Sequence, residues 1–247
     1  MKIGVIGSGN WGKKIIKKLR ELNYCVKIIS RKDNFKKEID KFNTFFIVTD
    51  DKSHFKFLKL LKDTDKKIFC EKPISRKKNE LEKIKKFKFK NIFISDISNY
   101  YPNLDLKNKN FIYRSKIDAN KPNNSKKRYD LLYRFLYHDI GYLFKKIKNI
   151  DINKLKIVNS KGHLELNFYI KGRFFNFKYV TNKKKTYTFN NKKIYSNKDN
   201  LKIMIKDFLK NKFNTKKNLE KSLKISKILE IIKLKMDKNS KWKRKIY

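Results

Sequence analysis

Hydrophobic and polar positions follow two different periods along this chain. Up to residue 94, short apolar runs alternate with stretches whose apolar residues recur at helical spacing, such as Ile15, Leu19 and Leu22. Strands are predicted at residues 3–6, 25–29, 44–49 and 67–70. Because strands and helices take turns, this part is predicted to form a doubly wound parallel sheet of the α/β class, with ligands at the carboxyl ends of its strands.

From about residue 99 the period of the pattern changes to two. Strands are predicted at residues 154–158, 163–170, 173–180 and 186–189. Several of them alternate apolar and polar residues, which is typical of a sheet with one solvated face. Helices are predicted near residues 129–148, 199–211 and 218–236. We therefore expect two domains, one at residues 1–98 and an α+β domain with an open, mostly antiparallel sheet at 99–247. The C-terminal helix is free to pack back on the first domain.

Four of the seven glycines fall within the first twelve residues, which makes them informative. Gly7, Gly9 and Gly12 form G-x-G-x-x-G between the first strand and the first helix. In a dinucleotide-binding Rossmann domain these positions allow a tight turn, a close approach of the backbone to a pyrophosphate, and close helix packing. The pyrophosphate would lie at the N-terminus of the helix, whose first residues are Asn10 and Trp11.

The end of the second strand is where such a domain chooses its cofactor. An acid about 20 residues past the glycines would bind the ribose hydroxyl of NAD. This chain has Ser30, Arg31 and Lys32 there, and a hydroxyl with two cations suits the 2′-phosphate of NADP better. NADP is therefore preferred, and NAD remains the alternative because cations are common throughout this chain.

The chain carries 67 Lys and Arg against 23 Asp and Glu, a formal net charge of +44. Such an excess often indicates a nucleic-acid partner. Here the lysines are spread over every segment instead of concentrating in one tail or helix face, so nucleic acid is not the favoured partner. A nucleic-acid or polyanion binder stays open as an alternative, and it would need the charge to concentrate on one face beside aromatic side chains.

The remaining composition narrows the class of protein. Cys25 and Cys70 lack the spacing of metal ligands, so no metal is expected. No apolar run approaches the roughly 18 residues of a transmembrane helix. The N-terminus lacks the pattern of a signal peptide. We expect a cytoplasmic protein that does not enter the membrane.

Several motifs together resemble the glucose-fructose oxidoreductase, inositol dehydrogenase and rhizopine-catabolism (Gfo/Idh/MocA) family. In chain order they are GSGNWG at 7–12, VTDDKSHFKFLKLL at 48–61, CEKPIS at 70–75, NYYPNL at 99–104, LYRFLYHDIGYLF at 132–144 and NKDNLKIMIKDFLKN at 197–211. The resemblance covers most of the chain in the family's order and spacing. It implies an NAD(P)-dependent oxidoreductase that transfers a hydride between nicotinamide and a carbinol or carbonyl of a sugar, sugar nucleotide or polyol.

The resemblance also implies roles for single residues in the E-K-P segment and before it. In the family the E-K-P lysine points into the cleft between nicotinamide and substrate, and the following proline often has a cis bond. Lys72 is that lysine, so it would polarise a substrate oxygen and help relay its proton. Glu71, Thr49 and His54 would lie near the cofactor.

The helix predicted at 129–148 carries the second catalytic candidate. Enzymes of the family usually have D-x-x-x-H here, with the histidine as acid or base. Aligning His138 with that histidine puts Arg134 at the aspartate's place. Another register places Asp139 and Gly141 on D-x-G and replaces the histidine with Leu143. The first register is preferred, with Arg134 as a candidate for binding an anionic group of the substrate.

The missing aspartate leaves a second function open. The chain could be a non-catalytic homologue that still binds a dinucleotide. Many relatives associate through the outer face of the C-terminal sheet, so a homo-oligomer formed through that face is a candidate assembly, which the sequence does not decide. The other expected partner is a small-molecule substrate.

Overall fold

The computed structural model describes residues 2–30, 32–102, 110–118, 131–160, 163–181, 186–190, 192–193 and 198–243. The chain divides into two compact units. The first contains Met1–Tyr100 and Lys198–Lys227, and the second contains Tyr101–Asn197 and Ile228–Tyr247. The first boundary, at residue 100, is close to the one predicted at residue 98. The chain returns to the first unit at Lys198–Lys227, whereas the sequence placed 99–247 in the second domain and left only the C-terminal helix free to pack back on the first.

The first unit is built on a five-stranded sheet in the order β2-β1-β3-β4-β5. All its strand pairs are parallel, so the predicted doubly wound parallel sheet is confirmed. Its elements are β1 (Lys2–Ile6), α1 (Asn10–Arg20), β2 (Cys25–Ile29), α2 (Phe35–Glu38), β3 (Thr44–Ile47), α3 (Asp51–Leu61), β4 (Lys67–Cys70), α4 (Lys78–Lys85) and β5 (Asn91–Ile94). Short 3₁₀ turns follow at Ile39–Lys41 and Ile97–Tyr100.

One face of this sheet is covered by a helix from the far end of the chain, α6 (Asn200–Leu209). Phe208 lies edge-on to Phe46 at 5.3 Å and to Phe69 at 5.5 Å, measured between ring centroids. Met204 and Ile205 are fully buried in the same cluster. Because parallel strands are apolar on both faces, they need helices on both sides, and α6 fills one of these places.

The last helix, α7 (Thr215–Lys243), begins in the first unit and contacts the end of the edge strand β5. Asn218 accepts a hydrogen bond from the Ile94 N–H at 2.6 Å and donates one to the Ile94 carbonyl at 3.1 Å. Both main-chain groups of Ile94, the last residue of this edge strand, are thereby satisfied. Among the described residues, no helix is both long and apolar enough to cross a membrane.

The second unit contains a six-stranded sheet in the order β11-β10-β6-β9-β8-β7. Only the β6–β9 pair is parallel, so the predicted open, mostly antiparallel sheet is confirmed. The strands are β6 (Phe111–Asp118), β7 (Asn153–Ser160), β8 (His163–Ile170), β9 (Arg173–Thr181), β10 (Thr186–Phe189) and β11 (Lys192–Lys193). A π-helical turn at Leu132–Leu136 runs directly into α5 (Tyr137–Leu143).

The helix predicted at 129–148 is thus shorter at its C-terminal end and contains a π-helical turn that the sequence did not predict. Its predicted first residues, 129 and 130, lie outside the described part of the chain.

The central strand β6 was not predicted at all. Its inward positions hold Arg114 and Lys116, which are 2% and 4% exposed, whereas Phe111 and Tyr113 face outward at 75% and 44%. This reverses the usual pattern of apolar residues inside and polar residues outside, so alternation could not identify the strand.

Candidate functional site

The glycine-rich turn after β1 is shaped by two close contacts. Gly7 has a φ of +104°, and a Cβ there would lie 2.9 Å from both the Thr49 N and the Val48 O. A Cβ on Gly12 would lie 2.6 Å from the Gly7 carbonyl oxygen. Both positions therefore require glycine for the fold itself, because any side chain would collide with main-chain atoms.

Gly9 is different, because nothing in the fold requires a glycine there. Its φ of −64° and ψ of −177° suit any residue, and a Cβ would meet no atom within 4 Å. It precedes α1, whose first turn contains no acidic residue, and no side chain among the described residues caps this end. The first N–H groups of a helix have no partner within the helix, so this end offers donors and open space to an anion. The arrangement fits the pyrophosphate of a dinucleotide.

Main-chain hydrogen bonds hold the segments beyond the strands in line at the same edge. The Val48 N–H donates to Ile6 O at 2.9 Å, the Glu71 N–H to Ile47 O at 2.9 Å, and the Ser95 N–H to Cys70 O at 2.8 Å. Thr49 and Lys72 each come one residue later. The glycine turn, Thr49 and Lys72 therefore lie along one carboxyl edge, as the sequence predicted for a ligand site.

Trp11 from the first turn of α1 and Glu71 from the end of β4 meet inside this edge. Burial raises the pKa of Glu71, and the charge of Lys72 together with hydrogen bonding by Ser95 and Trp11 opposes that rise. Among the described residues, neither Trp11 Nε1 nor Glu71 Oε2 makes a hydrogen bond of standard geometry, although the indole lies close enough to the carboxyl group to lower its pKa. An indole donor and a carboxyl acceptor are thus held close together beside Lys72.

Lys72 is half-buried, and the Lys72–Pro73 peptide bond is cis. His54, predicted to lie near the cofactor, is only 1% exposed. Its Nδ1 lies 2.8 Å from the Pro73 carbonyl oxygen and its Nε2 3.2 Å from the Thr49 carbonyl oxygen. Burial lowers the pKa of His54, although both carbonyl contacts favour its charged form. The ring therefore bridges two segments of the site edge.

At the end of β2 the structure shows an acid that the sequence analysis overlooked. The Asp33 carboxylate accepts a hydrogen bond from the Ser30 N–H at 2.6 Å, and the Ser30 hydroxyl accepts one from the Lys32 N–H at 3.2 Å. The hydrogen bond from Ser30 lowers the pKa of Asp33. Arg31, the other cation proposed to select NADP, lies outside the described residues. Asp33 stands about 20 residues past the glycines, a spacing that could have identified it.

In the second unit, the helical segment at 131–143 presents one accessible side. Arg134 and His138 are half-buried, and every other residue of the segment is buried. The Arg134 guanidinium lies 5.1 Å from the centroid of the Phe135 ring, and the His138 ring lies edge-on to Tyr137 at 5.9 Å. The preferred register thus puts its two candidate residues on the same side of the segment, four positions apart.

Asp139, which the other register would use, belongs to a buried network. The Arg114 guanidinium donates to Asp139 Oδ1 from Nε at 3.1 Å and from a terminal nitrogen at 3.0 Å. The Tyr179 hydroxyl donates to Oδ2 at 2.8 Å. Burial alone would raise the pKa of Asp139, but the charges of Arg114 and Lys116 and these hydrogen bonds lower it. Both carboxylate oxygens are therefore engaged in the interior.

No protein-family model and no curated protein sequence matches this chain. Solved structures match it over nearly its whole length. UDP-N-acetylglucosamine 3-dehydrogenase GnnA from Acidithiobacillus ferrooxidans is 13% identical, with a TM-score of 0.78 over 93% of this chain and 95% of that chain. A Gfo/Idh/MocA family oxidoreductase from Vibrio cholerae is 11% identical, with a TM-score of 0.73 over 98% and 99%. The WlbA dehydrogenase from Thermus thermophilus, in complex with NAD and UDP-GlcNAcA, is 8% identical, with a TM-score of 0.73 over 94% of both chains.

Proposed function

Because the chain has the fold of the Gfo/Idh/MocA oxidoreductases, we propose that it is an NAD(P)-dependent oxidoreductase acting on a CH–OH group of a sugar, sugar nucleotide or polyol. Gly9 carries this proposal. The fold needs no glycine there, so we attribute the absence of a side chain to the space that a ligand needs at the N-terminus of α1. The named activity of GnnA supports a sugar nucleotide as the substrate class.

The cofactor would be held by residues of the first unit. The glycine turn and the first turn of α1, including Asn10 and Trp11, would bind the pyrophosphate. Ser30 and Arg31 would contact the ribose end, and Thr49 and Glu71 would lie along the nicotinamide half. When bound, the nicotinamide supplies the acceptor or donor of the hydride.

The protein's own side chains must transfer the proton of the substrate oxygen. In oxidation an amine at Lys72 Nζ accepts the hydroxyl proton, and in reduction an ammonium at the same atom donates it to the carbonyl oxygen. The neighbouring Glu71 interacts electrostatically with Lys72, so the charge of Glu71 acts on the reacting group. His138 is proposed as the second acid or base, and Arg134 as a binding group for the substrate.

Cofactor choice is proposed to lie in the turn after β2. Arg31 and Lys32 favour the 2′-phosphate of NADP, the preference that the sequence predicts. The Asp33 carboxylate at the same turn opposes a phosphate and favours the free ribose hydroxyls of NAD. The balance between these charges decides the preference.

Arg134 favours a second candidate function, a dinucleotide-binding protein without turnover. Relatives of the family usually have an aspartate there to stabilise a charged histidine, whereas a nearby arginine disfavours that charge. Such a protein would bind a nicotinamide cofactor and leave every sugar of a broad substrate panel unoxidised.

A homo-oligomer is proposed through the outer face of the second sheet, where Phe111, Tyr113, Val158 and Tyr169 are exposed. Exposed apolar side chains on one sheet face are typical of an interaction surface. Sedimentation of the wild type and of Phe111→Asp should show assembly that the substitution weakens. A wild type that stays monomeric at high concentration would exclude this assembly.

The cofactor site is tested by a matched pair of substitutions, Gly9→Ala and Gly12→Ala. Gly9→Ala should keep the unfolding free energy within ~1 kcal/mol of wild type. It should weaken binding of NADH and NADPH by about tenfold or more, because its methyl group occupies the pyrophosphate space. Gly12→Ala should lower stability as well, because its Cβ collides with the Gly7 carbonyl. Nicotinamide fluorescence and urea unfolding measure the two effects.

Catalysis is tested with two further substitutions, for which both cofactor binding and oxidation of the sugar panel are measured. Lys72→Ala should bind the cofactor and lose oxidation of the sugar panel, whereas Lys52→Ala, at an exposed position of α3, should behave as wild type. The proposal fails if the wild type binds neither cofactor at low or physiological salt. It also fails if Gly9→Ala binds both as tightly as wild type does.

A further inference from the structure

His54 is a deeply buried ionisable group that contacts the segment carrying the proposed reacting lysine. Both of its ring nitrogens contact main-chain carbonyl oxygens, that of Pro73 at 2.8 Å and that of Thr49 at 3.2 Å. A histidine with 1% exposure and both nitrogens facing protein carbonyls is poorly placed to bind a ligand directly. Its contacts lie instead on the segments that carry Thr49 and Lys72.

These two segments leave adjacent strands of the sheet. Ile47 of β3 pairs with Cys70 of β4, and Thr49 and Pro73 lie two and three residues beyond them. Pro73 has no N–H, so its carbonyl is its only main-chain group that can form a hydrogen bond. The imidazole therefore supplies, from α3, a hydrogen bond that fixes the chain immediately after Lys72.

A second contact ties the same turn of α3 to the same segment. Asp51 lies three residues before His54, on the same face of α3, and its carboxylate accepts a hydrogen bond from Arg76 Nε at 2.5 Å. Asp50 caps the helix by accepting a hydrogen bond from the Lys52 N–H at 3.1 Å. The first turn of α3 is therefore rigidly placed and contacts the chain at two points after Lys72.

The number of protons on His54 indicates which carbonyl contact matters more. Both neighbours are acceptors, and a neutral imidazole has one N–H to donate. Burial lowers the pKa of His54, which favours the neutral ring. The shorter contact, from Nδ1 to the Pro73 oxygen, takes the proton on geometric grounds. The hydrogen bond that remains is therefore the one to the Lys72–Pro73 segment.

We propose that His54 is a positioning residue that holds Lys72 at the site edge by donating a hydrogen bond to the Pro73 carbonyl. This inference rests on the proposed function, because Lys72 is the reacting group of that function. The role goes to a residue whose two ring nitrogens both face main-chain carbonyl oxygens of the protein. A misplacement of a reacting group by about 1 Å can cost 10²-fold in rate, so such a residue affects turnover from a distance.

Three substitutions separate the two carbonyl contacts. His54→Asn places an amide N–H near the position of Nδ1 and keeps the bond to Pro73. His54→Gln places its amide near the position of Nε2 and keeps only the contact with Thr49. His54→Leu removes both. His163→Leu is the matched control, because His163 is a half-exposed histidine of β8.

Hydrogen exchange of residues 71–76 is the first readout, since it needs no cofactor or substrate. His54→Leu and His54→Gln should speed exchange in this segment by about tenfold or more, while β1 and β3 exchange as in wild type. His54→Asn should restore the wild-type rate. On a sugar that the wild type oxidises, kcat should fall about 10²-fold in the Leu and Gln variants and recover in Asn, with the KM for the nucleotide unchanged.

The opposite pattern overturns the inference. Unchanged exchange in His54→Leu, or restoration by Gln as complete as by Asn, would show that the Pro73 contact does not hold the segment. Faster exchange spread evenly over the whole first unit would assign His54 to general stability. Failure of the wild type to bind a cofactor would reject the proposed function alone, because the exchange measurement still decides whether His54 fixes the segment after Lys72.

Discussion

Each unit of this protein buries a carboxyl group beside basic side chains, and the two carboxyl groups behave in opposite ways. Asp139 in the second unit has both oxygens engaged by Arg114 and Tyr179, and its pKa is lowered. Glu71 in the first unit keeps Oε2 without a hydrogen-bond partner among the described residues, and burial raises its pKa. Asp139 is 1% exposed, whereas Glu71 is partly exposed with its Oε2 atom buried. The two groups also differ in their partners, which act on the pKa in addition to burial.

The comparison separates a structural site from one that keeps a capacity to respond. A buried carboxylate with every acceptor position used ties elements together, and changing its charge is costly. A buried carboxyl with an open acceptor next to a lysine can change its protonation when a charged ligand arrives. This is the arrangement expected beside Lys72, the proposed reacting group, and it is absent around Asp139.

The largest effect should follow from breaking the Asp139 network. Asp139→Leu leaves the Arg114 guanidinium buried without its counter-ion and the Tyr179 hydroxyl without its acceptor. We expect the free energy of unfolding to fall by about 3–5 kcal/mol, measured by urea denaturation. A loss of less than about 1 kcal/mol would show that the Asp139 ion pair contributes no more to stability than an exposed ion pair does.

The matched control replaces the whole network with apolar groups. Arg114→Met, Asp139→Leu and Tyr179→Phe together remove every buried polar group of the set. Most of the lost stability should return, because the buried guanidinium charge is removed together with its carboxylate partner. A triple variant as unstable as Asp139→Leu would show that shape and packing determine the loss, and not the unpaired charge.

A smaller effect, of opposite sign with pH, is expected for Glu71. Its folded pKa lies above the ordinary 4.5, so the folded state holds the proton more tightly than the unfolded state does. Stability from this group is present below that value and is lost as pH rises through the folded pKa. The free energy of unfolding of Glu71→Gln should therefore equal that of wild type at low pH and exceed it increasingly as pH rises.

Asp139 gives the opposite pH dependence in the same experiment. Its folded pKa lies below the ordinary 3.8, so its contribution is present above that value and is lost as pH falls. As pH rises, wild type should therefore become more stable relative to Asp139→Asn and less stable relative to Glu71→Gln. Parallel pH curves for the two variants would contradict the comparison.

The smallest effect is expected for Asp33, an acid held at the surface by the Ser30 N–H. Exposed charges interact weakly through water, so Asp33→Asn should leave the unfolding midpoint unchanged. It should still shift the ratio of NADPH to NADH affinity a few-fold toward NADPH, since it removes a negative charge from the ribose end. Nicotinamide fluorescence titrations measure this ratio. An unchanged ratio would exclude Asp33 from cofactor choice, and a shift toward NADH would contradict the role proposed for its charge.

Much of the fold could be predicted from the period of the apolar residues. Strands β2, β4, β8 and β10 lie at the predicted residues because each is a short run bounded by turn residues. The glycine turn could be identified too, since its glycines and its place between a strand and a helix define it. The Glu71-Lys72-Pro73 segment was identified by its resemblance to the Gfo/Idh/MocA family together with its place at a strand end. The acid Asp33 was missed because the two cations before it drew the interpretation toward NADP.

Strand β6 and helix α6 show what only the tertiary structure decided. Arg114 can occupy an inward position of β6 because Asp139 and Tyr179, distant in sequence, meet it there. Likewise α6 belongs to the first unit because Phe208 packs on Phe46 and Phe69, which the chain places more than a hundred residues earlier. The sequence by itself determined local elements and the glycine turn, because neighbours in the chain set those. The partners of buried charges and of distant helices depend on contacts that form only when the chain has folded.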